Sequence, residues 1–377
     1  MIPPEIPVFA ESVPAMLEPE HVALSRDLAA RLRGLSLADH DAQGLVARLA
    51  AAKAFELLVP AKVRTLCVAR EALGYASPMA DSIFAVQGLG SWAIAQTPGF
   101  PRRDEILAEV RSGARVCAFA LTEPEAGSDV ASMRSVAAKD GDRWRIDGEK
   151  VFISNAGIAH HYVVFANADP SLGKKGISAF LVAASAPGLV VERVPMSVDH
   201  PLGRLRMKWC EAQLIGEVGQ GMRLALGTLD VFRTSVGAAA CGMARRALDE
   251  SVRRVRERVQ FGKRLVEQQL VQARLADMAT ELEASRLLVY RAAWLKDRGE
   301  RATTEVAMAK MFATEAAQRI IDSAVQLHGG LGVTTESAVE QLYREIRPLR
   351  IYEGTTEIQK LIIGGAYAAQ LPPSPGA

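Results

Sequence analysis

The spacing of apolar residues changes twice along this chain, and those two changes restrict the fold more than any single motif does. Up to about residue 115 the period is helical. Leu24, Leu28, Leu32 and Leu35 are separated by four, four and three, and Leu45, Leu49 and the 55–58 stretch continue the pattern. Gly34, Gly74, Gly88, Gly90 and Gly99-Phe100-Pro101 are expected to divide this part into several helices. From Val116 the chain breaks into seven short β-rich runs, at 116–121, 136–138, 144–146, 151–154, 162–165, 178–182 and 189–194. Asp140-Gly141 and Asp147-Gly148 are both strong hairpin dipeptides. Short strands with frequent turns predict a small antiparallel barrel or sandwich, not parallel βαβ units. After Gly219-Gln220-Gly221 the helical period returns, at 224–259, 265–297 and 303–327, with shorter helices at 339–346 and 355–368. Three of these exceed an ordinary helix, and a four-helix bundle buries their faces.

The expected fold class is therefore α+β in three parts: an N-terminal helical domain (1–115), a middle antiparallel β-barrel domain (116–221) and a C-terminal four-helix bundle (222–377). A chain of 377 residues is long enough for two or three cores. With 45 Lys+Arg against 43 Asp+Glu, it lacks the bulk charge that holds proteins to nucleic acid or anionic membranes. Cys67, Cys117, Cys210 and Cys241 form no C-x-x-C pair, which points to neither a disulfide framework nor a structural zinc, and fits a reducing compartment. The start, Met1-Ile2-Pro3-Pro4, has no signal-peptide pattern, and Arg48, Lys53, Glu56 and Lys62 interrupt the apolar stretch at 45–63. The expectation is a cytoplasmic protein without a membrane span, and a frayed tail at Pro372-Pro373-Ser374-Pro375.

Five segments carry chemistry. CAFALTEPEAGSD at 117–129 runs from a strand into a turn whose small residues let backbone approach a flat ligand, while Thr122 and Ser128 add hydroxyls; a plain hairpin end is the equal alternative. VFISNAG at 151–157 again ends a strand in an aromatic, a hydroxyl and a glycine. RVQFGK at 258–263, followed by Gln269, marks a break between long helices. QLHGGLG at 326–332 ends one helix, and IYEGTTEIQ at 351–359 enters another, whose free N–H groups at 355–358 suit a phosphate.

In this order and spacing, across roughly residues 115–365, the five segments resemble the acyl-CoA dehydrogenase family of flavoproteins. The resemblance implies bound FAD and desaturation of an acyl thioester between its α and β carbons. Carried over by position, Phe119, Leu121, Thr122, Gly127 and Ser128 would line the flavin and the thioester entrance. Phe152 and Ile153 would pack near the flavin, with the Ser154 hydroxyl by its N5. Arg258, Phe261, Gln269, Gln326, Leu327, Gly329 and Gly330 would meet the adenine and pyrophosphate half of an FAD held mainly by a neighbouring subunit, and Thr355 and Glu357 would complete that site. Ser128, Asp230, Arg233 and Gly354 would contact substrate, with Arg233 also supporting catalysis. Glu353 would be the base; a helix N-terminal acid favoured by the dipole is the plain alternative. For Asp230 and Arg233 the plain alternative is a surface pair at i,i+3. Some family members place the base on the helix that corresponds to the one containing Asp230 and Arg233, one residue before the arginine, and here that position is Phe232. The resemblance further implies a homotetramer or homodimer and an electron-transfer flavoprotein as electron acceptor.

Other features read as structure. Gly216-Glu-Val-Gly219-Gln-Gly221 follows no βαβ pattern, so it is no nicotinamide fingerprint. His160-His161 lacks further ligands at metal spacing, and no metal is expected. The basic run 245–258 is interleaved with Asp249, Glu250 and Glu257, as on a solvated helix face. The chain departs from the family between Pro187 and Gly216, where the usual strand-then-Val-Pro segment is shortened and the usual Ser-Asp-Thr-like loop is not evident, and in the basic run 344–350 ahead of Glu353. Three rival functions share the pattern: an enzyme acting on a carrier-protein-bound acyl group, an acyl-CoA oxidase, and a non-catalytic flavoprotein of the DNA-alkylation-response type.

Overall fold

The computed structural model describes residues 5–12 and 15–369. Residues 1–4 and the proline-rich tail at 372–375 lie outside them. The helices are α1 (Pro19–Arg31), α2 (Ala42–Ala51), α3 (Val63–Ala76), α4 (Pro78–Ala95), α5 (Arg103–Ser112), α6 (Gly221–Glu257), α7 (Gln269–Asp297), α8 (Thr303–His328), α9 (Ala338–Ile346) and α10 (Thr356–Ala368). The strands are β1 (Cys117–Ala120), β2 (Val136–Asp140), β3 (Arg143–Ser154), β4 (His161–Asn167), β5 (Ile177–Ala183), β6 (Leu189–Arg193), β7 (Leu202–Ile215), β8 (Val259–Gln260) and β9 (Lys263–Arg264). They form two compact units: a sheet unit from 39–62 and 79–232, and a helical unit from 1–38, 63–78 and 233–377.

In the sheet unit, β4, β2, β3, β7 and β5 pair in turn and β5 pairs back to β4, closing the circuit; β1 adds to β4 and β6 to β7. This is the barrel that the short runs predict. Two pairings differ from a purely antiparallel sheet, since β1 and β2 both run parallel to β4. The hairpin at Asp140-Gly141 is present: Asp140 pairs with Arg143, and Gly141 takes φ +60°. The one expected at Asp147-Gly148 is not. The runs 144–146 and 151–154 fuse into β3, with a register shift against β7 between Ile146 and Gly148. Gly148 takes φ +152°, and a side chain there would overlap Ser135, so this glycine marks a bulge and not a turn.

β7 goes unseen in the reading of the sequence, because a slip breaks its alternation. Leu205 and Met207 face inward while Arg206 and Lys208 face out, but Trp209 adopts φ +51° and stays exposed, after which Cys210 and Ala212 face inward. β7 occupies much of the segment between Pro187 and Gly216 where the chain departs from the family pattern.

Gly74, Gly88 and Gly90 do not divide helices. They lie inside α3 and α4, at close approaches. A side chain on Gly74 would meet the Ala239 carbonyl, one on Gly88 the Phe232 ring, and one on Gly90 the Ala118 nitrogen at 2.7 Å. In the sheet unit, buried Gln87 of α4 binds the Cys117 N–H at 2.8 Å and the Arg115 carbonyl at 2.6 Å, tying α4 to the start of β1.

In the helical unit, α6, α7, α8 and α10 match the expected periods within a few residues. The N–H groups at the start of α3 are capped from far along the chain: Asp297, at the end of α7, accepts from Val63 N at 2.7 Å and Arg64 N at 3.2 Å. Glu71 of α3 is fully buried and accepts from Arg286 and Tyr290 of α7, each at 2.6 Å. Buried Glu71 is thus matched by partners on the facing helix. Among the described residues, no helix is long and apolar enough to cross a membrane.

Candidate active site

In the sheet unit, the first two chemical segments lie side by side. Val151 N donates to the Thr122 carbonyl at 2.9 Å, joining the end of β3 to the turn after β1. Asn155 is buried at φ +61° and donates to the Cys117 carbonyl at 3.2 Å. Phe119 packs on Phe165, with ring centroids 5.0 Å apart. Ile153 and Leu121 are buried, Thr122 and Ser154 are half-buried, and Gly127 and Ser128 are exposed on the following loop. Phe152 is 65% exposed and takes φ +56°. A large aromatic turned outward on strained backbone is a feature that a well-packed strand end does not need.

The turn carrying Thr122 is built on two residues that sequence reasoning missed. Lys150, wholly buried, donates to the Leu121 carbonyl at 3.1 Å and to Glu123 at 2.7 Å. Glu123 also accepts from the backbone N–H groups of Arg134 at 2.5 Å and Ser135 at 3.1 Å. Burial pulls the Lys150 ammonium down to about 8 although Glu123 favours its charge. Burial pushes Glu123 up, but Lys150 and the surrounding donors outweigh it and hold the carboxyl below its ordinary value.

In the helical unit, the fifth segment is pinned where it turns. Glu353 takes φ +52° and Gly354 φ +93°. Arg233 of α6 donates to the Glu353 carbonyl at 2.7 Å, while Lys310 of α8 and Gln359 of α10 both donate to the Gly354 carbonyl at 2.9 Å. Arg233 is thus tied to Glu353. Asp230 itself is half-buried on α6 and falls in the sheet unit. A side chain on Gly354 would meet Gln359 Nε2 at 2.5 Å.

Glu353 precedes the cap of α10 and lies outside its first turn; the acid in that turn is Glu357. Thr355 Oγ1 accepts the Ile358 N–H at 3.3 Å, so that donor is already matched within the helix start expected to receive a phosphate. The basic run ahead of the turn is a helix end: Arg344 pairs with Glu340 at 2.7 Å, and Arg350 binds Glu315 at 2.9 Å, which also accepts from Thr356. Phe232 is a buried ring against Gly88 and Trp92 within the sheet unit, not a proton acceptor.

Phe261, at φ +53°, is 97% exposed on the tight β8–β9 hairpin, with Arg258 exposed just before it and Gln269 exposed at the start of α7. Gln326 and Leu327 end α8, and Gly329 and Gly330 follow it on open backbone, with no atom within 4 Å of where a side chain would start. His160 and His161 do not make a metal pair. His160 Nδ1 accepts from Val116 N at 3.0 Å, and His161 lies against Arg115, burial and that guanidinium taking its pKa down to about 4.

Family models described as the acyl-CoA dehydrogenase middle domain and C-terminal domain match residues 118–214 and 219–368. The chain belongs to the acyl-CoA dehydrogenase family. The caffeyl-CoA reductase-Etf complex subunit CarC of Acetobacterium woodii is 40% identical over 70% of this chain and 71% of its own. The butyryl-CoA dehydrogenase of Megasphaera elsdenii superposes with a TM-score of 0.86 at 29% identity, covering 93% of this chain and 99% of that one. The prolyl acyl carrier protein oxidase AnaB superposes at 0.85 with 25% identity, again over 93% and 99%.

As an acyl-CoA dehydrogenase the protein is an FAD-dependent oxidoreductase acting on CH–CH groups. Its own residues fit that cofactor. Outward-facing Phe152 and Phe261 offer apolar surface to flat rings, and the open backbone at Gly127, Gly329 and Gly330 allows a ligand to approach closely.

Proposed function

We propose that the protein desaturates an acyl-CoA thioester between its α and β carbons, with Glu353 removing the α proton. The observation that carries this reading is the turn at Glu353, held in left-handed backbone by donors from three helices. Strained backbone is retained where the surrounding structure fixes it for use, and the residue on the turn fixed here carries a carboxylate. FAD, when bound, supplies the acceptor for the hydride leaving the β carbon. Glu353 takes the proton at its carboxylate, and its backbone N–H donates to the thioester oxygen as negative charge develops there. An apolar acyl chain against Glu353 excludes water and raises its basicity. Arg233 orients the carboxylate through the Glu353 carbonyl. Phe152, Thr122, Ser154 and the hydroxyl of Ser128 hold the flavin and the thioester entrance, while Asp230 and Gly354 meet substrate. Arg258, Phe261, Gln269, Gln326, Leu327, Gly329, Gly330, Thr355 and Glu357 bind the rest of FAD in a homo-oligomer, and an electron-transfer flavoprotein accepts the electrons.

An acyl group on a carrier protein is the second reading, favoured by the likeness to AnaB. Anaerobic mixing of the yellow holoprotein with butyryl-CoA, isobutyryl-CoA, 3-phenylpropionyl-CoA and cyclohexanecarbonyl-CoA, followed by mass spectrometry, tests the first. The expected result is flavin bleaching and a product two hydrogens lighter with at least one of them. Bleaching only by the same acyl groups on a carrier protein selects the second reading, and colourless protein that takes up no FAD contradicts both.

A further inference from the structure

Lys310 is wholly buried in α8, although a lysine taken out of water costs several kcal/mol unless something compensates it. Its bond to the Gly354 carbonyl does not account for a charge there, because Gln359, a neutral amide, already holds the same oxygen at the same 2.9 Å. What the lysine adds is the positive charge, beside the turn that carries Glu353. We propose that Lys310 is a positioning residue for the base: its ammonium locks the Glu353–Gly354 turn and stabilises the Glu353 carboxylate in its ionised, proton-accepting form. This rests on Glu353 being the base.

The charged groups that act on Lys310 lie on four segments of the helical unit. They are Glu353 on the turn, Arg233 on α6, Glu315 on its own helix and Glu357 on α10. Burial pulls the ammonium down to about 8; Glu353 opposes that most strongly, Glu315 and Glu357 add to it, and Arg233 works against it. Lys310 is therefore charged below about 8. The attraction that keeps the proton on Lys310 equally favours its absence from Glu353, so removing the charge makes Glu353 harder to ionise.

The test is the pH profile of anaerobic flavin reduction in the holoenzyme, with the fastest-bleaching thioester of the panel above. Lys310→Gln keeps a donor to Gly354 and removes the charge. Its acid limb is expected to move up by about one pH unit, a roughly tenfold slower reduction at a given pH on that limb, with FAD content unchanged. Lys310→Arg, which keeps the charge, is expected to retain the wild-type limb. A Lys310→Gln limb that coincides with wild type, whether the rate falls uniformly or not at all, overturns the proposal and leaves the base assignment standing. Wild-type reduction rates in Glu353→Gln, or no bleaching by any thioester, overturn both. Should Lys310→Gln lose FAD, Lys310→Arg decides: a displaced limb overturns the proposal.

Discussion

Lys150 and Lys310 are the residues that the motifs did not disclose. A lysine in a sequence is a surface residue by default, and its burial becomes visible only when the carbonyl it serves is brought to it. Those carbonyls belong to Leu121 and Gly354, 29 and 44 positions away. Thr122, Phe152 and Glu353 stand out in the sequence as candidates because small residues, hydroxyls and an acid cluster around them locally; what holds them in place is not local. For the Lys150–Glu123 pair this has a measurable consequence. Lys150→Met leaves Glu123 buried without its cation and is expected to cost about 3–5 kcal/mol in urea denaturation at neutral pH. The pH dependence has a definite sign. Because Glu123 is held below its ordinary value, its contribution is present above the unfolded carboxylate pKa and lost as pH falls through the folded one. In the variant the Arg134 and Ser135 donors remain but the cation that offsets burial is gone, so the ionised acid is less favoured and the gap between the two proteins narrows on acidification. A gap that is constant or widens below about pH 4 contradicts this account.

At the scale of elements, the helices after Met222 were legible because their apolar period runs uninterrupted for many turns, whereas the strands were not uniformly so. A bulge at Gly148 imitates a turn, and a slip at Trp209 hides the alternation of β7, since both break the two-residue period without ending a strand. Glycines mislead in the opposite direction. Gly90 looks like punctuation, yet it lies mid-helix because α4 meets the Ala118 backbone of β1 there. The backbone it faces cannot swing aside as a side chain end can. Gly90→Ala is therefore expected to destabilise by about 1–3 kcal/mol, against the small gain that alanine brings to an ordinary helix interior. An unchanged or raised urea midpoint for Gly90→Ala would show that α4 and β1 are not in such contact.

On the scale of the whole molecule, the order helix, sheet, helix and the five segments in register were enough to point to the family, because each segment alone is weak and their joint spacing is not. The way residues sort into compact units was not legible in the same way. The first 115 residues contribute to both units, since α3 finds its polar partners on α7, more than two hundred positions later. The proposed function gives the outward-facing Phe152 and Phe261, the open glycines and the fixed turn at Glu353 each a role. Glu353→Gln tests that most directly, because the amide keeps the shape and the bonds from Arg233, Lys310 and Gln359, which go to backbone oxygens, and removes only the basicity. In anaerobic stopped-flow with a competent acyl-CoA, the variant is expected to keep its FAD and its yellow colour while flavin reduction slows by roughly a hundred- to ten-thousand-fold. Reduction at a rate near that of the wild type would contradict the assignment of Glu353 as the base.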